Sequence, residues 1–199
     1  MAVSDSMIAP GKQLHRISIV VPVYQGEHTL PALVKEIALL TVPTSTTGGN
    51  EFQVTELLLV NDHGPDRSDE VIRELAAAYD FIRPVWLSRN FGQHPATLAG
   101  MASSSGDWIV TMDEDGQHDP ADIGDFLDVA LAQGSQLVYA DPVNRPPHNA
   151  LRNGSSRLVK WFFSSFLTGS TEGTFQSYRL VLGEIGRSVA AYAGSGVYL

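Results

Sequence analysis

The stretch VTMDEDGQHDP, residues 110–120, places a group of acidic or metal-binding side chains directly after an apolar run. Asp113 and Asp115 are two residues apart, so in an extended chain their carboxylates point to the same side and Glu114 faces away. Two carboxylates that close oppose each other's ionisation unless a cation lies between them. All-oxygen ligands select Mg²⁺ or Mn²⁺, and Gln117 can add a neutral oxygen. The spacing therefore predicts a divalent metal site that keeps positions for water and substrate phosphates.

Other interpretations of this stretch remain open. It can be a solvated acidic turn, in which Asp119 is the N-cap of a helix that begins at Pro120. Phosphatases of the haloacid dehalogenase type carry an Asp-x-Asp-Gly-Thr motif at a strand end, but Gln117 replaces the Thr here. An EF-hand is disfavoured because Gly124, the twelfth loop position, has no carboxylate.

The elements that must position these residues follow an alternating pattern of short apolar runs and amphipathic stretches. This pattern is typical of a mainly parallel sheet flanked by helices, and it predicts an α/β fold. Strands are expected at residues 16–23, 54–60, 81–88, 107–113 and 136–140, and helices at 29–40, 68–79, 94–104 and 120–134. Ser68 is expected to cap the second helix, and Pro120 and Gly134 to begin and end the fourth.

Polar residues follow four of the predicted strands. These residues are Glu27, Asp62, Arg89 and the pair Asp113 and Asp115. In open α/β sheets, ligands bind at the edge where the carboxyl ends of the parallel strands meet. The four loops are therefore expected to build one site.

Composition limits the class of protein. With 199 residues and 43% apolar side chains, the chain has the length of one compact domain. A formal net charge of -9 argues against a general nucleic-acid binder. Residues 141–199 nevertheless carry 6 basic and 3 acidic side chains, so an anionic partner is expected there.

Nothing in the sequence directs the chain away from the cytoplasm. Cysteine is absent, which excludes disulfides and Cys-ligated zinc. The first sixteen residues lack the apolar core of a secretion signal, and no apolar run has the length of a transmembrane helix. A soluble cytoplasmic domain is expected, and a peripheral position on the inner face of the plasma membrane is the alternative.

Four segments, in their order and spacing, resemble the family 2 glycosyltransferases with a GT-A fold. They are ISIVVPVYQGEHTL, LLLVNDHGPDRS, LSRNFGQHPATLAGM and MDEDGQHDP. The resemblance is closest to bacterial polyprenyl-phosphate sugar transferases related to dolichol-phosphate mannose synthase. It implies a flexible N-terminus at residues 1–15 and one catalytic domain at 16–199. Within that domain, residues 16–120 would form the nucleotide-sugar and metal half, and 121–199 the acceptor side.

The resemblance also implies roles for individual residues. The donor, a UDP- or GDP-linked sugar, would contact Pro22, Tyr24, Glu27, Asp62, Arg89 and Asp113. The metal, Mg²⁺ or Mn²⁺, would be held by Asp113, Asp115 and Gln117. Asp115 and Arg89 would act in catalysis, because the metal and a nearby cation stabilise the charge on the leaving diphosphate.

The expected acceptor is polyprenyl phosphate. A monophosphate is already largely ionised near neutral pH, so it needs cations more than a base. The candidate cations are Arg145, Arg157, Lys160 and Arg179, and Asp141 is the remaining strand-end carboxylate that could serve as a base. A helix from about residue 150 could lay its aromatic side on a membrane surface. A non-catalytic nucleotide-sugar or lipid-binding module remains an alternative, as does loss of a C-terminal membrane segment.

Overall fold

The structure is a computed structural model, and it describes residues 13–140 and 177–193. The strands in these ranges are β1 (Leu14–Val23), β2 (Thr44–Ser45), β3 (Glu51–Asn61), β4 (Ile82–Trp86), β5 (Trp108–Thr111), β6 (Leu137–Tyr139) and β7 (Arg179–Leu182). The helices are α1 (Leu30–Ala38), α2 (Ser68–Ala78), α3 (Gln93–Ser103), α4 (Ile123–Gln133) and α5 (Gly183–Tyr192). No helix in these two ranges is both long and apolar enough to cross a membrane.

The strands form one sheet in the order β2-β3-β1-β5-β7-β6, and β4 pairs with β3 beside this path. β1 is parallel to β3 and to β5, and β3 is parallel to β4. β7 is antiparallel to both of its neighbours, so β6 has the direction of β5. The mainly parallel sheet agrees with the prediction, whereas β2, β7 and α5 have no counterpart in it.

Apolar layers cover both faces of the central strands. In β1, Ile19 and Val21 belong to the larger buried cluster, which includes α1. Val20 faces the other way and packs with Leu58 and with α3. Because both faces are buried, β1 is an almost uninterrupted apolar run in the sequence.

The helix ends follow the predicted signals in one case and depart from them in another. The Asp119 carboxylate accepts the N–H of Ala121 at 2.9 Å, and α4 ends at Gly134 with φ of 62°. A short 3-10 turn, Pro120–Asp122, precedes α4. The prediction that Ser68 caps α2 was wrong: Arg67 is the N-cap, and the Ser68 hydroxyl donates to Asp66 at 2.7 Å.

Glu56 is a buried acid at the edge of the sheet opposite the carboxyl ends of the parallel strands, with 4% of its surface exposed. Its carboxylate accepts hydrogen bonds from the Ser18 hydroxyl at 2.6 Å, the Arg83 guanidinium at 2.5 Å and the Ser105 N–H at 2.6 Å. Burial alone would raise the pKa of Glu56, but these donors outweigh it and hold the pKa below its ordinary value. The acid therefore stays ionised inside the fold.

Candidate functional site

The loops that follow four parallel strands touch one another at a single edge of the sheet. We call them the first loop (residues 24–29, after β1), the second (62–67, after β3), the third (87–92, after β4) and the fourth (112–119, after β5). Side chains of the second and fourth loops bind the first, and the second also binds the third. The predicted convergence of these loops is confirmed by their hydrogen bonds.

Asp113 is held from three directions. The side-chain amide of Gln93, at the start of α3, donates to Oδ1 at 2.6 Å. The hydroxyl of Ser177, just before β7, donates to Oδ2. The backbone N–H of Asp113 donates to Nδ1 of His118 at 3.1 Å. The carboxylate is therefore fixed in direction by elements from distant parts of the chain.

Asp115 and Gln117 lie in a turn rather than in an extended strand. β5 ends at Thr111, the chain turns at Glu114 and Asp115, and Gly116 has φ of 73°. The common orientation expected for Asp113 and Asp115 assumed an extended chain, and that assumption is wrong. Asp115 is exposed, and its Oδ1 accepts the N–H of Gln117 at 2.9 Å.

The Glu114 side chain is directed to the first loop. Its Oε1 accepts the N–H of Gln25 at 2.9 Å, and its Oε2 accepts the N–H of Tyr24 at 3.0 Å. Burial raises the pKa of Glu114, the two backbone donors oppose this, and the charges of Asp66 and Asp113 add to the rise. Glu114 thus joins the fourth loop to the first.

The second loop holds the first loop from the other side. The N–H of Gly26 donates to the Ser68 hydroxyl at 2.8 Å, and the N–H of Glu27 donates to Asp66 at 3.1 Å. The Glu27 carboxylate in turn accepts the N–H of Arg67 at 2.9 Å. In the structure, therefore, Glu27 links two loops. Tyr24, with 42% of its surface exposed, is an exposed large hydrophobic side chain of the first loop.

Asp62 holds the third loop. Only 3% of its surface is exposed, and its two oxygens accept the N–H groups of Phe91 at 2.7 Å and Gly92 at 2.8 Å. Gly92 has φ of 93°, a conformation that favours glycine. The Asp62 carboxylate fixes the segment that carries Arg89.

Arg89 is exposed, and its guanidinium lies 4.6 Å from the centroid of the Phe91 ring. A carboxylate partner for Arg89 is not found among the residues that the structure describes. Within the part of the chain that the structure describes, the Phe91 ring is the contact that the Arg89 guanidinium makes on the third loop.

Four residues of the site were not predicted. Gln93, Glu114, His118 and Ser177 each bind Asp113 or the first loop. The His118 ring also stacks on Tyr178 at 4.8 Å between centroids. Because the Asp113 N–H donates to His118 Nδ1, this imidazole is a supporting acceptor and not a metal ligand through that atom. Gln93 and His118 lie in the GQH and DGQH segments, but nothing in these segments reveals the contacts.

The other predicted residues fall into two groups. Pro22 lies near the end of β1 and is half-buried, and Arg179 begins β7 with 7% of its surface exposed. Arg179 pairs with Thr111 and Tyr139 in the sheet, next to the fourth loop. Asp141, Arg145, Arg157 and Lys160, together with the helix expected from about residue 150, lie outside the described residues.

The oxygen atoms at this edge fit a hard divalent cation. Within residues 13–140 and 177–193, no group of three or more His, Cys, Asp and Glu side chains could hold a metal ion by itself. Asp113 and Asp115 supply two carboxylates, which is a common protein contribution to a Mg²⁺ site that substrate phosphates and water complete. A cation held by these two carboxylates would need further ligands from water or from a substrate.

Comparison with known families gives a match over most of the chain. The family described as "Glycosyl transferase family 2" matches residues 18–187. This range includes all four loops of the site. The haloacid dehalogenase alternative has no support in this match.

Curated relatives are similar over the same region. An undecaprenyl-phosphate 4-deoxy-4-formamido-L-arabinose transferase of Pseudomonas paraeruginosa is 39% identical over 145 residues, which is 72% of this chain and 40% of the relative. The transferase of the same description from Yersinia pestis is 33% identical over 165 residues, 81% of this chain and 47% of the relative. The chain thus spans less than half the length of these relatives.

Solved structures share the fold. The S. aureus TarS structure of residues 1–349 has a TM-score of 0.59 at 15% identity, covering 92% of this chain and 52% of that chain. The mannosyltransferase PcManGT from Pyrobaculum calidifontis, in complex with GDP-Man and Mn²⁺, has a TM-score of 0.54 at 15% identity, covering 65% and 36%. The expected GT-A fold is confirmed, and with the family match it leads to one conclusion: the chain belongs to glycosyltransferase family 2.

Proposed function

We propose that this chain is the catalytic domain of a metal-dependent glycosyltransferase. It moves a sugar from a UDP- or GDP-linked donor to polyprenyl phosphate. The observation that carries the proposal is the joining of four strand-end loops around Asp113 and Asp115, with Arg89 and Tyr24 exposed on neighbouring loops. The curated relatives are described as undecaprenyl-phosphate sugar transferases, which supports this acceptor.

Each loop has one task in this proposal. Tyr24 and Pro22 contact the nucleoside, and Glu27 and Asp62 keep the first and third loops in place around it. Asp113, Asp115 and Gln117 hold Mg²⁺ or Mn²⁺, which supplies positive charge to the leaving diphosphate. Arg89 adds a second positive charge from the third loop, and its stacking on Phe91 directs it.

The acceptor side of the proposal uses basic residues that are largely outside the described ranges. Arg145, Arg157 and Lys160, together with Arg179 at the start of β7, bind the acceptor phosphate and keep it ionised. An ionised phosphate attacks the sugar without a general base. Asp141 would serve as a general base only if the acceptor were a hydroxyl group. We also propose that the domain lies at the inner face of the plasma membrane, where such a lipid phosphate is reached.

Calorimetry on the whole chain tests this function. UDP and GDP are titrated with and without Mn²⁺ into the wild type, D115N and D80N. Asp80 is an exposed acid just before β4, at the other edge of the sheet, and serves as the matched control. We expect one nucleotide to bind in the presence of Mn²⁺, D115N to weaken this binding about tenfold or more, and D80N to leave it unchanged.

Two other outcomes would contradict the proposed function or the proposed role of Asp115. If neither nucleotide binds the wild type in any condition, the transferase proposal is wrong. If D115N and D80N bind alike, Asp115 is not a metal ligand. Transfer of sugar from the selected donor to undecaprenyl phosphate, followed by lipid extraction, then tests the acceptor.

A further inference from the structure

Glu114 lies between the two proposed metal ligands, yet its side chain is directed to a different loop. Its two oxygens accept the N–H groups of Gln25 and Tyr24 in the first loop, at 2.9 Å and 3.0 Å. These bonds join residues that are about 90 positions apart in the chain. A carboxylate that accepts backbone N–H groups forms stronger bonds than a neutral acceptor.

The first loop has few other means of keeping its position. Four consecutive N–H groups, from Tyr24 to Glu27, donate to side chains of other segments and not to a backbone partner. Glu114 accepts the first two of them, and the second loop and Ser68 accept the others. Removing Glu114 therefore frees the half of the loop that carries the Tyr24 ring.

The packing around Gly26 leaves little room for the loop to adjust. A Cβ atom at Gly26 would lie 2.8 Å from Oε2 of Glu114 and 2.9 Å from Leu30. The Glu114 carboxylate thus occupies the space beside Gly26, in addition to accepting the N–H groups of Tyr24 and Gln25. Both kinds of contact define where the loop sits relative to the fourth loop.

A role for Glu114 as a third metal ligand is less consistent with this geometry. Both of its oxygens already face backbone donors of the first loop, whereas Asp115 is exposed at the turn. Coordinating a cation through Glu114 would leave the N–H groups of Tyr24 and Gln25 without their acceptors.

We propose that Glu114 is a positioning residue that fixes the nucleoside-binding first loop to the metal-binding turn. Through it, Tyr24 on one loop and Asp115 on the other meet the same nucleotide at a set separation. This inference rests on the proposed function, because it assumes that the ligand is a nucleotide that spans both loops. It assigns a role to the residue between the two aspartates, which the metal-site prediction left without one.

A double-mutant cycle on nucleotide affinity tests the inference. The variants are E114A, Y24A and the double variant, titrated by calorimetry with UDP and with GDP at saturating Mn²⁺. If Glu114 acts through the loop that carries Tyr24, E114A weakens binding about tenfold in the wild type but about twofold or less in Y24A. A general effect of charge on the metal would instead reduce affinity by the same factor in both backgrounds.

R89A supplies the matched control cycle. Arg89 lies on the third loop, which Asp62 holds without help from Glu114. The effects of E114A and R89A on affinity are therefore expected to multiply. E114Q, which keeps the length and one acceptor oxygen, should weaken binding by an intermediate factor and show the same dependence on Tyr24.

The outcomes separate this inference from the proposed function. If the wild type binds neither UDP nor GDP, the proposed function fails and this inference fails with it. If the wild type binds a nucleotide and the effects of E114A and Y24A multiply, the positioning role alone is wrong. Should E114A fail to fold in a thermal unfolding measurement, the E114Q cycle gives the same decision.

Discussion

Asp113 has its orientation set by two side chains that lie far from it in the sequence. Gln93 is 20 residues before it and Ser177 is 64 residues after it, and each donates to a different carboxylate oxygen. Ser177 is itself fixed, because its carbonyl accepts the Thr111 hydroxyl at 2.5 Å. These contacts hold the Asp113 carboxylate in one orientation.

Replacing Ser177 by alanine should weaken the binding of the Mn²⁺–nucleotide complex by about fivefold, since one hydrogen bond contributes roughly 1 kcal/mol. Calorimetry with the nucleotide that the wild type selects measures this effect. S103A is the control, because the Ser103 hydroxyl donates to a carbonyl of its own helix at 2.9 Å. Equal affinities of S177A and S103A would contradict a role for Ser177 in orienting Asp113.

At this scale the sequence predicted which residues would cluster but not what holds them. Asp113, Asp115, Gln117, Asp62 and Arg89 follow strand ends, and strand ends can be predicted from apolar runs. The contacts of Ser177 and Gln93 with Asp113 join residues far apart in the chain, and no local pattern encodes such a contact. The contacts of the Asp62 oxygens with the backbone of the third loop were likewise not predicted, and a contact of Asp62 with the ligand stays a prediction.

The second loop packs against the first so closely that one position has no space for a side chain. A Cβ atom at Gly64 would lie 1.5 Å from the carbonyl oxygen of Tyr24. Because the clash is with backbone, a change of rotamer cannot relieve it. The first loop can therefore take its position only because residue 64 is a glycine and has no side chain.

Replacing Gly64 by alanine should lower the free energy of unfolding by about 3 kcal/mol, because the two loops must separate to admit the methyl group. G49A is the control: Gly49 has φ of 82°, but no atom lies within 4 Å of its Cβ position. Backbone strain alone should make G49A less stable by about 1 kcal/mol. Chemical denaturation measures both values, and a G64A variant as stable as G49A would contradict the close packing of these loops.

The elements that the sequence predicted well are those with long and regular patterns. β1, β3, α1 and α4 agree with their predicted ranges to within a few residues at each end. β7 was missed because it has four residues, and its partners β5 and β6 precede it by about seventy and about forty residues in the chain. Ser68 was misassigned as a cap because its hydroxyl is used between loops, a contact that a helix-start pattern does not contain.

On the scale of the whole molecule, the edge of the sheet opposite the site depends on a buried charge. Glu56 on β3 accepts bonds from residues near β1, β4 and β5, and its pKa is lower in the folded protein than its ordinary value. An acid of this kind binds protons more weakly when folded than when unfolded. Its contribution to stability is therefore present above the unfolded pKa of about 4.3 and is lost as the pH falls through the lower, folded pKa.

Replacing Glu56 by glutamine should destabilise the protein by roughly 2 kcal/mol at pH 7, because charge-assisted hydrogen bonds are lost. The difference from the wild type should shrink as the pH falls below about 4. Thermal unfolding between pH 7 and pH 3 measures this, with E36Q as the control at an exposed acid of α1. A difference between E56Q and the wild type that does not depend on pH would show that the charge of Glu56 is not what stabilises this edge.

Fold class and family followed from the whole pattern of the chain more reliably than individual roles did. The order and spacing of four segments implied a GT-A glycosyltransferase of family 2, and the family match over residues 18–187 confirms this. Neither the donor base nor the acceptor is encoded in those segments in a way that physical reasoning can extract. The residues that would select them are brought together only by folding, from loops far apart in the sequence.

The position of β7 has a consequence for how the protein is made. It lies between β5 and β6 in the sheet, although it follows both of them in the chain. As the chain leaves the ribosome, β6 emerges before the strand that will join it to the sheet. The parallel strands can assemble early, whereas β6 gains its partner and Asp113 gains the Ser177 hydroxyl once residues 177–182 are free to insert. Completion of the site is thus expected to follow the assembly of the parallel strands, and it requires contacts between residues far apart in the chain, which form slowly.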